Sequence, residues 1–138
     1  MNPAPQQQPP RVAQIPTLGK MLIGHGILFL LWTAFCAFAI TVGILNTRIR
    51  AASRTDDIFV IIAYGVFGIA ALPTGILQIV AGSSLLRNKG RVLALIALWV
   101  GVGSFFLGTV FCLPTGIALV IYGMLVLLDP AVKQHLSR

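Results

Sequence analysis

Apolar residues run along this chain in long unbroken blocks, with polar ones confined to short stretches between them. Blocks without any charged side chain cover Met21 to Leu45, Ile58 to Leu86 and Val92 to Leu128. As a continuous helix the second block would be ~43 Å long at ~1.5 Å per residue, more than the ~30 Å hydrocarbon core of a bilayer. It therefore needs tilt or protrusion to fit a membrane. The third block would be ~55 Å long, nearly two bilayer cores, so it is expected to fold back as a hairpin near Gly108 to Pro114. The pattern predicts an all-α membrane protein, a four-transmembrane-helix bundle over residues 20–129 with spans at about 21–45, 58–86, 92–110 and 113–128.

The stretches between the blocks read as boundaries. Residues 1–19, rich in Pro and Gln and without an apolar period, predict a disordered arm. Lys20 and Ala37-Phe38-Ala39 imitate a cleaved signal peptide, but the apolar run continues to Leu45, beyond the usual ~7–15-residue signal core. An uncleaved first helix is the better reading. The polar connection from Asn46 ends in Thr55-Asp56-Asp57, which suits the start of a second helix. Arg87 to Arg91 forms a short basic turn, Asp129-Pro130 stops the fourth helix, and residues 130–138 predict a short basic tail.

The pentapeptide Leu-Pro-Thr-Gly-Ile occurs at Leu72–Ile76 and again at Leu113–Ile117, an internal echo with two readings. Pro73 either kinks a continuous second helix, by removing the bond to Ile69, or marks a re-entrant turn. Lipid rarely tolerates such a turn inside the hydrocarbon, which favours the kink.

Composition agrees with the pattern. Hydrophobic residues make up 57% of the chain and charged ones 9%, against about 25% in soluble domains, so a polar shell cannot be built. The net charge of +7 does not point to nucleic acid, because the basic residues sit in small groups flanking apolar runs. Anionic lipid headgroups are the expected counter-charge. With four spans, seven basic residues (Arg11, Lys20, Arg87, Lys89, Arg91, Lys133, Arg138) fall on one side and three (Arg48, Arg50, Arg54) on the other. That asymmetry places the N- and C-termini in the cytoplasm. Cys36 and Cys112 both lie inside apolar runs with no CxxC and no Cys/His cluster, so they read as small packing residues.

The expected third helix carries small residues at Ala94, Ala97, Gly101, Ser104 and Gly108, all on one face by their alternating three and four spacing. The second carries Gly68, Ala71, Gly75, Gln78 and Gly82. In lipid, where helices associate through close backbone packing, these stripes predict contact seams. Gln78 on that face should hydrogen-bond to a neighbouring helix. His25 is the ionisable side chain well inside a span, on a stripe with Phe29, Trp32, Cys36, Ala39 and Gly43, about five residues from the inner edge. Intramembrane ionisable groups are functional candidates by default, so His25 and Gln78 are the residues singled out. No catalytic constellation, metal-ligand spacing or cofactor motif is present, and no cofactor is expected.

The stretches AGSSLLRNKGRVLALIALWVGVGS and LPTGIALVIYGMLVLLDPAVKQHL, within Ala81 to Leu136, resemble a group of small bacterial four-helix membrane proteins. In that group a basic turn leads into the third helix and a Pro-x-Gly element forms the fourth. The resemblance implies a four-span topology and the bacterial inner membrane, and carries no activity with it. The expected function is a non-enzymatic accessory or scaffold subunit with a membrane-protein partner. The alternative is a homo-oligomeric channel or small-solute transporter, its pore lined by Thr33, Thr41, Gln78 and Ser104.

Overall fold

The computed structural model describes residues 11–49, 54–105 and 113–136. Regular structure among these residues is entirely helical. A 3-10 turn at Val12–Gln14 leads into α1 (Ile15–Ile49), followed by α2 (Arg54–Leu86), α3 (Arg91–Phe105), α4 (Leu113–Leu127) and the short α5 (Pro130–Leu136). The hairpin turn expected near Gly108 lies outside the described residues.

Three boundaries differ from the sequence expectation. First, α1 starts at Ile15 and not near residue 21, so the end of the expected disordered arm is helical. The reason is burial: Val12, Ile15 and Leu18 recur every three residues and are at most 5% exposed. Pro16 does not oppose this, because proline is tolerated in a first helical turn. Second, α2 begins at Arg54, so Thr55-Asp56-Asp57 lies inside its first turn and not ahead of it. Third, the expected tail is helical from Pro130 to Leu136, bent 77° away from α4. Asp129 Oδ1 accepts the Ala131 N–H at 2.9 Å and so caps α5.

The two readings of Pro73 are resolved in favour of an unbroken α2. Beside the missing donor, the Thr74 hydroxyl donates to the Ala70 carbonyl at 2.9 Å. The second copy of the pentapeptide instead opens α4, with Pro114 in the first turn. One sequence thus serves two helical positions.

α1 and α2 form an antiparallel pair in a fixed register. Gly19 lies against Gly82, Gly26 against Gly75, and Cys36 against Gly68. α3 and α4 pack on the half of this pair that holds the α1 N-terminus. There Leu18, Leu22, Leu85, Leu98 and Leu127 form the core, each no more than 1% exposed. The α2–α3 turn sets Asn88 (φ 54°) and Gly90 (φ 78°) in the left-handed region, and Lys89 N–H closes back on Ser84 O at 2.9 Å. Arg91 Nε donates to Leu127 O at 2.8 Å. Arg11 Nη1 donates to Leu125 O at 3.1 Å and lies 3.3 Å from Asp129 Oδ2. Both arginines therefore meet the carbonyl end of α4, where the helix dipole favours a cation.

Two stretches are long and apolar enough to cross a membrane, Val12–Leu45 and Ile58–Leu86; the bent α4–α5 pair would make a third if counted as one span. The described parts of α3 and α4 cover 15 residues each, ~22 Å of helix. The outer faces are apolar: Ile69 is 77% exposed, Phe59 74%, Phe38 66% and Trp99 62%. Contiguous apolar surface on this scale fits a membrane protein, since lipid leaves it without a penalty.

Candidate functional site

The α1–α2 register brings together side chains that lie far apart in the sequence. With Gly26 pressed on Gly75, His25 beside Gly26 and Gln78 three residues beyond Gly75 meet across the interface. His25 Nδ1 donates to Gln78 Oε1 at 2.9 Å, and both residues are buried. The imidazole also stands edge-on to Phe29, centroids 5.1 Å apart and planes at 86°. The amide reaches a third helix as well, because a Cβ on Gly101 would sit 2.7 Å from Gln78 Nε2. One polar node therefore joins α1, α2 and α3. Thr74 is buried one turn before Gln78 on α2. In apolar surroundings an amide and an imidazole each lose hydration, and pairing them offsets that loss.

With α1 beginning at Ile15, His25 is ten residues along the helix, ~15 Å from its start.

The small-residue stripes face inward. Gly68, Ala71, Gly75, Gln78 and Gly82 are all buried on α2, as are Ala94, Ala97 and Gly101 on α3; the Ser104 side chain and Gly108 lie outside the description. Contacts on the α1–α2 seam are reciprocal and involve backbone. A Cβ on Gly26 would lie 2.7 Å from Gly75 O, and one on Gly75 2.8 Å from Gly26 O. Gly82 and Gly19 repeat the arrangement one heptad away, with 2.6 Å from a Gly82 Cβ to Gly19 O. On the α1 stripe, Phe29 and Cys36 are buried with His25, whereas Trp32, Ala39 and Gly43 are half-buried. Cys36 borders a groove of about 340 Å³ that opens where Gly65 and Gly68 give α2 no side chain.

Of the residues named for a pore, Thr33, Thr41 and Gln78 are engaged within the chain, and the Ser104 side chain lies outside the description. Thr33 donates to Phe29 O at 3.0 Å and Thr41 to Ala37 O at 2.8 Å, while Gln78 holds His25. Sequence reasoning missed the α1 half of the seam, Gly19 and Gly26, and the contacts of Arg11 and Arg91 with α4. The signal for the glycines was their seven-residue spacing, continued by Thr33 and mirrored by Gly68, Gly75 and Gly82. No family model, curated protein or solved structure matches this chain.

Proposed function

We infer that this chain is a multi-pass protein of a bacterial inner membrane that acts without catalysis, as an accessory or scaffold subunit of a membrane assembly. The observation that supports this reading most is the reciprocal glycine packing of α1 on α2. It uses the small-residue seam within one chain and so builds a rigid pair whose outer faces stay apolar for lipid or a partner helix. The polar groups available for chemistry, His25 and Gln78, are turned toward each other. A homo-oligomeric channel has less support, because three of its candidate lining residues, Thr33, Thr41 and Gln78, already hold partners inside the chain.

The test is extraction in mild detergent at native expression, followed by crosslinking and mass spectrometry. A fixed stoichiometry with a second membrane protein is expected. Recovery of the isolated monomer alone would overturn the subunit reading, and a discrete ring of identical chains with solute flux in liposomes would replace it with the channel.

A further inference from the structure

Cations at the end of the bundle where α4 bends into α5 fall into two groups. Arg11 and Arg91 are taken up inside the chain, Arg11 by Leu125 O and Asp129 and Arg91 by Leu127 O. Asp129 is the one acid at this end among the described residues, and both its oxygens are engaged, by Arg11 and by the Ala131 N–H. The last carbonyls of α2 are used as well, since Ser84 O and Leu85 O accept the N–H groups of Arg87, Asn88 and Lys89. That leaves Lys20 on α1, Arg87 and Lys89 in the α2–α3 turn, and Lys133 on α5. All four are exposed, and none has an ion pair or side-chain hydrogen bond among the described residues. Exposed charges of one sign raise the local potential and attract a partner of the other.

What surrounds these side chains narrows the partner. Lys20 is followed by exposed Met21, Arg87 is preceded by exposed Leu86, and Val92 is exposed just past the turn. Nucleic acid or an acidic soluble protein would meet the charges and leave this apolar surface in water. An anionic phospholipid carries its negative charge directly beside hydrocarbon, so one molecule answers both features. The fold adds an independent observation. α5 is bent 77° from α4, so with α4 along the lipid chains α5 lies across them, the setting of a helix in the headgroup layer. On α5, Val132 is turned into the core and Lys133 away from it. Lys and Arg stems cover apolar surface while their charged ends reach outward. The Arg87 guanidinium can grip a phosphate with two parallel hydrogen bonds, and the lysines act as point charges.

The geometry points to this end of the bundle as a docking surface for anionic phospholipid, with Lys20, Arg87, Lys89 and Lys133 as its phosphate contacts. It rests on the membrane reading of the chain and is independent of the subunit role. The test reconstitutes the full-length chain, carrying Trp32→Phe so that Trp99 alone reports, in phosphatidylcholine vesicles with a minority of phosphatidylglycerol. Trp99 is exposed on α3, along which a lipid held at the α2–α3 turn runs its chains. Brominating one lipid or the other and comparing the quenching gives their relative affinity. Phosphatidylglycerol should be preferred by about tenfold or more, and less so as salt is added. Arg87→Gln with Lys89→Gln should lower the preference by about fivefold or more, the worth of at least one basic residue at an anionic surface, whereas Arg87→Lys with Lys89→Arg should keep it. Circular dichroism identifies a variant that has not folded, in which case Lys20→Gln with Lys133→Gln, on two other elements, decides. Equal quenching by the two lipids, or a preference that survives in the folded Gln variant, would overturn the surface. Binding of soluble polyglutamate with no preference for phosphatidylglycerol would assign the cations to an acidic protein and overturn the lipid. A chain that does not float with the vesicles would overturn the membrane reading itself.

Discussion

A single methyl group separates two kinds of glycine on α1. At Gly26 an added Cβ would meet the Gly75 carbonyl at 2.7 Å, and because both partners are backbone, the helices must move apart. Gly26→Ala should therefore destabilise the protein by about 1–3 kcal/mol, the usual range for overpacking. At Gly24 the same change enters open space and gains helix propensity, so it should be neutral or stabilising by up to about 1 kcal/mol. Gln78→Leu should fall between them at about 1 kcal/mol or less, since interhelical hydrogen bonds average about 0.6 kcal/mol. Unfolding in detergent or bicelles measures this order, and a Gln78→Leu cost above that of Gly26→Ala would give the His25 pair a role beyond packing. The α2 glycines were legible in the sequence, where three and four spacing marks a helix face. The pairing of His25 with Gln78 was not, because it depends on register between two helices, and that register is set by which glycines touch.

Secondary-structure elements were read well in their interiors and poorly at their ends, for one physical reason. Long apolar blocks define helices wherever hydrophobic burial is continuous, whereas the ends are decided by tertiary contacts invisible in a local window. The start of α1 illustrates this: Pro16 and the polar neighbours of Val12 disguise an apolar period that becomes plain only against the core. α5 is a second case. Seven residues are too few to form a helix alone, yet Val132 is fully buried and Asp129 caps the first turn. The cap and the ion pair can be separated. Arg11→Ala removes a partly exposed pair, with Arg11 50% and Asp129 20% accessible, and should cost less than about 1 kcal/mol. Asp129→Ala removes the cap as well and should cost about 0.5–2 kcal/mol, while Asp129→Asn keeps the capping oxygen and should fall nearer the wild type. Hydrogen exchange of the Val132 to Leu136 amides measures the difference. Equally fast exchange in Arg11→Ala and Asp129→Ala, with no recovery in Asp129→Asn, would mean that charge and not capping holds α5.

For the whole molecule, the contacts of two arginines fix which ends lie together. Arg11 reaches Leu125 and Asp129, and Arg91 reaches Leu127, so the start of α1, the α2–α3 turn and the α4–α5 bend share one end. The connection between α1 and α2 belongs to the other end, because the pair is antiparallel and α1 runs 35 residues without a break. That is ~52 Å of helix, longer than a bilayer core, so the two ends should face opposite aqueous phases. Among the described residues, Arg11, Lys20, Arg87, Lys89, Arg91 and Lys133 lie toward the shared end, which is expected to be cytoplasmic. Single cysteines at Ser53, Asn88 and Gln134, in a chain with Cys36 and Cys112 replaced by alanine, turn this into a measurement. An impermeant thiol reagent should label Ser53→Cys in intact spheroplasts, and Asn88→Cys and Gln134→Cys only after permeabilisation. The reverse pattern would preserve the spans and invert the charge argument. Labelling of Ser53→Cys and Asn88→Cys from one side would show that α2 does not cross, leaving its unbroken apolar length to be covered by another protein.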